Sequence, residues 1–158
     1  MNDTLAIRTA DSSDVNRIAS LWEELTDGNA KLDARFERTS SARDEYARFI
    51  GQRLDQDEHH IIVAEVESHI VGYCCASTVK RPPLFKQQHY GFISDVIVTA
   101  SHRRKGIASH LVRSSLSWLS ERGCHRVELH ALNASDAAVG FWKAMGFLPY
   151  MTTMHKNE

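Results

Sequence analysis

The segment from Ser94 to Val112 constrains the fold of this chain more than any other stretch. It begins with a β-branched run, Val96-Ile97-Val98, passes through a basic loop that contains Gly106, and continues in a pattern typical of an amphipathic helix. A strand that leads through a glycine-bearing loop to a helix N-terminus is a common way to hold a phosphate group. The segment therefore predicts a pyrophosphate-binding site at the start of a helix.

The length and composition indicate a single folded domain over residues 1–158. The chain is 42% hydrophobic and 25% charged, and a net charge of −1 argues against a general nucleic-acid-binding protein. No stretch approaches the roughly 18 apolar residues of a membrane span, and the first residues lack the pattern of a signal peptide. Cys74, Cys75 and Cys124 offer no disulfide framework, and His59-His60 lacks metal-ligand spacing. A cytoplasmic protein without metal, nucleic-acid or membrane partners is expected.

Hydrophobic periodicity predicts both strands and helices along the chain. Strands are predicted at 4–8, 61–66, 70–79, 89–98, 126–131 and 147–155, and helices at 15–28, 42–54, 105–121 and 137–145. The strand–helix–strand unit at 89–131 requires a parallel pair with a right-handed crossover, whereas the strands before it form an antiparallel meander. The prediction is an α/β, or layered α+β, domain with a mixed sheet and helices on both faces.

The basic loop has the form R-x-x-G-x-A, written here as Arg103-Arg104-Lys105-Gly106-Ile107-Ala108. Gly106 lets the backbone approach an anion closely, and the small Ala108 keeps the first helical turn open. The N–H groups from Arg104 to Ser109 can then point at one anionic group. Cations at a helix N-terminus oppose the helix dipole, so three of them here favour an anionic ligand. An ordinary solvated basic turn is the alternative.

This loop resembles the acetyl-CoA signature of the Gcn5-related N-acetyltransferase (GNAT) superfamily, Q/R-x-x-G-x-G/A, including the V-x-V-like strand before it. A second segment, from Ala137 to Phe147, resembles the closing A-x-x-F-Y-x-x-x-G-F helix and turn of that family. The order of predicted elements is also similar, so the resemblance spans nearly the whole chain. It implies a twisted, mainly antiparallel sheet of about six to seven strands, in which a splayed parallel pair holds acetyl-CoA.

The same resemblance implies which residues bind the co-substrate. Main-chain groups of Val96 and Val98 would pair with the pantetheine arm. The pyrophosphate would be held by Arg103, Arg104, Lys105, Gly106, Ile107, Ala108 and Ser109. Ser135 stands where the family usually has an Asn that contacts the cofactor arm, and Asn133 lies two residues earlier. Trp142 replaces the usual Tyr acid and, without a transferable proton near neutral pH, is expected to pack against the cofactor or the core.

The reaction implied is direct transfer of an acetyl group from the thioester to a primary amine. A base must deprotonate the ammonium, and the leaving thiolate needs a proton or a hydrogen-bond donor. Ser94 occupies the strand position that is often Glu in the family and could orient a water. Asp95 is the candidate base, although neighbouring strand residues face opposite sides of a sheet. The other candidates for proton transfer are His130, Tyr73, Tyr90 and Tyr150.

Two functional hypotheses follow from these residues. The first is an N-acetyltransferase that acts on a small amine or on an amino group of a peptide or protein. The second is a catalytically silent acyl-CoA-binding regulatory module, which Ser94 and Trp142 make worth testing. Acceptor specificity is expected from the first helix pair and the Lys80–Gln88 loop, and carboxylates between Thr26 and Glu45 would favour a cationic amine. The resemblance alone implies a homodimer.

Overall fold

In the computed structural model, which describes residues 4–157, five strands form one mixed sheet in the order β1-β2-β3-β4-β5. The strands are β1 (Leu5–Thr9), β2 (His59–Val66), β3 (His69–Lys80), β4 (His89–Val98) and β5 (Val127–Leu129). The helices are α1 (Val15–Ala30), α2 (Ala42–Gly51), α3 (Ile107–Glu121) and α4 (Asp136–Ala144). Strands β1 to β4 are antiparallel neighbours and β5 is parallel to β4. The predicted mixed, mainly antiparallel sheet is confirmed.

Each face of the sheet has its own hydrophobic core. On one face, α3 buries Leu111 and Leu119 against β2, β3 and β4. On the other face, α1 and α2 bury Ile18 and Ile50 around Tyr73 of β3, whose side chain is fully buried. The apolar stripes of α1, α2 and α3 thus predict the layered arrangement correctly, because a helix stripe must be buried against a neighbouring element. None of the helices within residues 4–157 combines the length and the hydrophobicity needed to cross a membrane.

The predicted final strand at 147–155 is wrong. Through Asn157 the described chain has no strand after β5, so the sheet has five strands rather than six to seven. Pro149 has no N–H to donate to a ladder, and the three residues of β5 offer only a short edge for pairing. Leu148 and Met154 remain 83% and 89% exposed. Alternating apolar residues become a strand only where another strand is long enough to pair with them.

The close backbone approach of β4 to Gly72 of β3 gives a test of the packing between these two strands. A Cβ at Gly72 would lie 2.7 Å from the carbonyl oxygen of Ile97, a backbone atom. We therefore expect Gly72→Ala to lower the free energy of unfolding by about 1–3 kcal/mol, because the two strands must separate. Chemical denaturation measures the change.

Gly140, inside α4, provides the matched control for Gly72→Ala. Apart from the adjoining residues and the backbone of α4 itself, no atom in the described part of the chain lies within 4 Å of the Cβ that alanine would add there. Gly140→Ala should therefore raise the free energy of unfolding by about 0.5–1 kcal/mol, because alanine loses less backbone entropy on helix formation. Equal stabilities for the two alanine variants would contradict the close approach of β3 and β4.

Candidate active site

A β-bulge in β4 is the centre of the candidate site. Ile93 pairs with Ala76 of β3 and Asp95 pairs with Cys75, so Ser94 is an extra residue without a partner in the ladder. An extra residue of this kind bends the strand and changes the direction in which the following side chains point. The bulge therefore changes which face of the sheet each later β4 residue uses.

The bulge brings Ser94 and Asp95 together on the side of α1 and α2. Ile93 belongs to the core under α3, whereas Ile97 belongs to the core under α1 and α2. The Asp95 carboxylate shares the side of Ile97, because it accepts a hydrogen bond from the hydroxyl of Tyr46 at 3.3 Å. Ser94 Oγ donates to the same oxygen, Oδ2, at 2.9 Å. The expectation that Ser94 and Asp95 face opposite sides of the sheet is therefore wrong at this bulge.

The half-buried Asp95 carboxyl lies among uncharged polar groups. The hydroxyl of Tyr46 is 3.1 Å from that of Tyr73, which is fully buried. Burial raises the pKa of the Asp95 carboxyl, while the hydrogen bonds from Ser94 and Tyr46 act in the opposite direction. Burial likewise raises the pKa of the neighbouring Cys75 thiol, which therefore stays neutral. A carboxylate with a raised pKa is suited to accept a proton from a substrate.

Beyond the bulge, one edge of β4 lies open. Strands β4 and β5 pair only between positions 91–93 and 127–129. The N–H of Thr99 donates to the carbonyl of Val71 on β3. Because backbone groups alternate in an antiparallel ladder, those of Val98 and Val96 face the opposite edge, away from β3. This is the splayed parallel pair that the sequence predicts, and an extended ligand with amide groups can add to such an edge.

The start of α3 has the features of an anion site. Gly106 is the N-cap, with φ +79°, and no side chain caps the helix. The N–H groups of Ile107, Ala108 and Ser109 therefore lack acceptors within the helix. A Cβ on Gly106 would meet no atom of residues 4–157 within 4 Å, so these residues leave the space beside the helix start open. An anion such as a pyrophosphate fits this arrangement of N–H groups and dipole.

The basic side chains of this loop differ in what they contact. Arg103 donates from Nε to the carbonyl of Val98 at 2.8 Å and from Nη2 to the carboxylate of Glu24 on α1 at 2.9 Å. Arg104 and Lys105 are exposed at the rim of the loop, and Arg104 adopts a positive φ of 64°. Arg103 thus holds the loop in place, and the rim charge comes from the two residues that follow it.

Comparison with protein-family models matches residues 19–147 to the acetyltransferase (GNAT) family. The chain belongs to the GNAT family. The resemblance seen in the sequence is therefore confirmed over most of the chain.

Individual relatives are similar over part of their length. N-acetyltransferase family 8 member 2 of Rattus norvegicus is 35% identical over 85 residues, which are 54% of this chain and 37% of that protein. N-alpha-acetyltransferase MAK3 of Arabidopsis thaliana is 30% identical over 77 residues, 49% of this chain and 40% of that protein. The match thus spans about two fifths of the length of these curated relatives.

Solved structures share the fold. A mutant of the BH1408 protein from Bacillus halodurans superposes with a TM-score of 0.88 at 22% identity, covering 97% of this chain and 99% of that one. A "predicted acetyltransferase with acetyl-CoA" from Clostridium acetobutylicum has a TM-score of 0.80 at 21% identity, covering 98% and 96%. At this identity the likeness shows the GNAT fold itself.

The remaining GNAT motif residues lie at the start and along one side of α4. Ser135 Oγ accepts a hydrogen bond from the N–H of Ala138 at 3.3 Å and so caps α4, while Asn133 is exposed in the loop before it. Trp142 is half-buried, edge-on to Phe141 and Phe147 at centroid distances of 5.0 and 5.2 Å. Trp142 packs against the core as expected, and the contacts of Asn133, Ser135 and Trp142 with a cofactor stay predictions.

Of the other candidates for proton transfer, only Tyr73 lies in the hydrogen-bonded cluster with Asp95. His130 is exposed and edge-on to Phe92 at 5.2 Å. Tyr90 lies under the guanidinium of Arg81, and Tyr150 lies under that of Arg126. His60, of the His59-His60 pair, stacks its ring on that of Trp118, with ring centroids 4.8 Å apart.

Three carboxylates between Thr26 and Glu45 are paired with arginines, and among the described residues Glu37 has no such pair. The pairs are Asp27 with Arg38 at 2.8 Å, Asp33 with Arg35 at 3.0 Å, and Asp44 with Arg43 at 3.7 Å. Much of the negative charge that would attract a cationic amine is therefore balanced within the region itself. The preference for a cationic acceptor remains a prediction.

Two residues of the site, Tyr46 and Glu24, are not among those predicted from the sequence. Tyr46 lies on the apolar stripe of α2, where it fits a core position. Its one sequence signal is the hydroxyl, because a buried tyrosine hydroxyl usually finds a polar partner. Glu24 lies on the half-buried side of α1 and is 75 to 79 positions from its partners, so no local pattern connects it to the loop.

Glu24 provides a test of how the GNAT loop is held. Its carboxylate accepts from Thr99 Oγ1, from the N–H of Ala100 and from Arg103, each at 2.9 Å. We expect Glu24→Gln to weaken CoA binding about 5-fold, because an amide loses the charge-assisted bond to Arg103, worth about 1 kcal/mol. Isothermal titration calorimetry with CoA measures the change.

The adjacent Glu23 offers a matched control for this variant. It pairs with Arg38 at 2.7 Å and with Arg43 at 3.4 Å, on the other side of α1. Glu23→Gln should leave CoA affinity unchanged. An equal loss of affinity in both variants would mean that the charge of α1, and not the Glu24 contacts, determines binding.

Proposed function

We propose that this chain is an N-acetyltransferase that moves an acetyl group from acetyl-CoA directly to a primary amine of a small molecule, a peptide or a protein. The observation that supports this most strongly is the bulge in β4. It sets the Asp95 carboxylate beside an open strand edge that leads to an uncapped helix N-terminus. A base, an edge for an amide-bearing arm and an anion site follow one another along a single strand and loop.

Acetyl-CoA is the co-substrate in this proposal, and it supplies the activated acetyl group. The main-chain groups of Val96 and the N–H of Val98 pair with the amides of the pantetheine arm, while the Val98 carbonyl accepts from Arg103. The N–H groups of Ile107, Ala108 and Ser109 bind the pyrophosphate, and Gly106 leaves room for it. Arg104 and Lys105 add positive charge at the rim.

Asp95 acts as the base in the proposed reaction. It takes a proton from the acceptor ammonium, directly or through a water that Ser94 orients, and so frees the lone pair of the nitrogen. The neutral amine attacks the thioester carbonyl, the carbon–sulfur bond breaks, and the nitrogen releases its second proton to solvent as the amide forms. Trp142, which stands where the family acid is expected, has no proton to give. The leaving sulfur therefore takes its proton from solvent.

An amine panel tests the proposal. The purified chain is incubated with acetyl-CoA and with polyamines, aminosugars, amino acids and peptides with free N-terminal or lysine amines, and the release of free thiol is followed. Turnover of at least one amine above the rate of thioester hydrolysis is expected. Tight CoA binding without turnover of any member would overturn the enzyme and favour the silent acyl-CoA-binding module, which the tryptophan at position 142 makes the second candidate.

A further inference from the structure

Helix α2 places the hydroxyl of Tyr46 against the bulge of β4. This hydroxyl lies 3.3 Å from Oδ2 of Asp95 and 3.1 Å from the hydroxyl of Tyr73. Tyr46 is only 9% exposed, and Tyr73 is fully buried. The contact therefore joins an element of the acceptor side, α2, to the carboxylate proposed as base.

The ring of Tyr46 is fixed independently of its hydroxyl. It stacks on Trp22 of α1 with ring centroids 4.3 Å apart and an interplanar angle of 6°. On α2 itself it also stacks with Phe49, at 5.7 Å and 23°. Because these contacts hold the ring, a phenylalanine at this position should occupy the same place and lack only the oxygen.

The chemistry of the three groups determines the direction of the hydrogen bonds. An ionised carboxylate can only accept, so Tyr46 donates its proton to Asp95. The oxygen of Tyr46 then accepts from Tyr73, whose hydroxyl has this one hydrogen-bond partner among the described residues. The chain of hydrogen bonds ends inside the core at Tyr73. It therefore orients the carboxylate and does not carry protons to solvent.

The groups that face Asp95 from each neighbouring element carry no charge of their own. They are Tyr46 from α2, Tyr73 and Cys75 from β3, and Ser94 from β4, whereas Cys74 lies in the core under α3. From α1, Trp22 packs against Tyr46. Just beyond the end of α2, the cation of Arg53 is close enough to affect the Cys75 thiol. Within residues 4–157, the hydrogen bonds from Ser94 and Tyr46 are thus the stabilising contacts of the carboxylate.

We propose that Tyr46 is a positioning residue for the acetyl transfer, whose hydroxyl holds the Asp95 carboxylate in the orientation that accepts the proton of the amine. This inference rests on the proposed function, because it takes Asp95 as the base. Burial raises the pKa of Asp95, and the hydrogen bond from Tyr46 opposes that rise. The same contact that orients the base therefore keeps it ionised at a lower pH.

The test is Tyr46→Phe, read in two ways. The acid limb of the pH profile of kcat/KM should move upward by about one pH unit, because a lost hydrogen bond to the ionised form raises its pKa. The kcat should fall about 3- to 10-fold, and the KM for acetyl-CoA should not change. A ¹³C NMR titration of the Asp95 carboxyl, assigned by its absence in Asp95→Asn, should show the same upward shift without any turnover.

Two tyrosine-to-phenylalanine variants serve as controls. Tyr73→Phe removes the hydroxyl that contacts Tyr46 but not Asp95, and it should shift the acid limb of the pH profile by less than Tyr46→Phe does. Tyr90→Phe, under Arg81 and outside the cluster, should shift nothing.

If the Asp95 carboxyl has the same pKa in Tyr46→Phe as in the wild type, the inference is overturned and Tyr46 is a core residue only. If the titration moves but Asp95→Asn still transfers acetyl groups at the wild-type rate, the base role of Asp95 fails, and the role of Tyr46 in the reaction is overturned with it. If no amine is turned over at all, the proposed function fails first, and the NMR titration still decides whether Tyr46 controls the carboxyl.

Discussion

Gly106→Glu should abolish CoA binding while the protein remains folded. A glutamate at this position would extend into the space beside the N-cap of α3, where no atom of the described residues lies within 4 Å of the added Cβ. Its carboxylate would compete for the free N–H groups of the first turn and would repel a pyrophosphate. We expect an affinity at least about 100-fold weaker, which corresponds to about 3 kcal/mol. Calorimetry with CoA, alongside thermal unfolding, measures both properties.

Gly123→Glu separates the electrostatic effect at Gly106 from backbone strain. Gly123 follows the other end of α3 and has φ +75°, close to the +79° of Gly106. Within residues 4–157 it too has no atom within 4 Å of an added Cβ. Both variants should lose about 1–2 kcal/mol of stability, because a side chain is disfavoured at positive φ. Only Gly106→Glu should lose CoA. Wild-type affinity in folded Gly106→Glu would refute the pyrophosphate site.

Asp95→Asn should reduce acetyl transfer by about 10²- to 10⁴-fold, the usual contribution of a positioned base, and leave the Kd for CoA unchanged. The substitution is almost isosteric. Both hydrogen bonds, from Ser94 and from Tyr46, go to the same carboxylate oxygen, which the asparagine amide oxygen can replace. Single-turnover thiol release and CoA titration together check the two halves of this prediction.

The raised pKa of Asp95 also predicts the stability of this variant. A group whose pKa is raised by folding stabilises the protein below its ordinary pKa and loses that contribution as the pH rises through the raised value. At pH values above that range, the wild type holds a half-buried charge that Asp95→Asn lacks. The variant should therefore unfold at a temperature no lower than the wild type, so that lost activity cannot be attributed to unfolding.

Asp57→Asn is the matched control for the loss of activity. Asp57 is exposed in the turn just before β2, outside the carboxylates between Thr26 and Glu45. Removing this charge should change neither turnover nor CoA affinity. Full activity in Asp95→Asn would exclude Asp95 as the base and transfer that role to another group or to a water.

The sequence predicts the fold well where local patterns determine structure. The stripe of α3 and the β-branched run of β4 are each built from neighbours in the chain, and both elements form as predicted. The segment after α4 has a similar alternation, but its partner would be β5, which ends at Leu129 after three residues. Whether residues 147–155 form a strand depends on the length of β5, and the hydrophobic periodicity of the segment itself contains no information about that partner.

The sequence predicts the anion site at the start of α3 more completely than it predicts the surroundings of the proposed base, Asp95. The glycine at the helix start is a local requirement and is visible as a motif. The bulge at Ser94 is a property of the register between β3 and β4, so the side on which Asp95 lies could not be deduced from alternation. Tyr46 approaches Asp95 only because α2 packs on that face, 49 positions away in the chain.

Under the proposed function, the carboxylate of Glu24 links one helix to two binding sites. Helix α1 packs on the face of the sheet where the acceptor is proposed to bind, and through Glu24 it also holds the loop before α3 in place. An acceptor whose binding shifts α1 must therefore change the affinity for acetyl-CoA. By thermodynamic reciprocity, acetyl-CoA must change the affinity for that acceptor by the same factor. The cooperativity between the two substrates would then follow from a single side chain that touches neither of them.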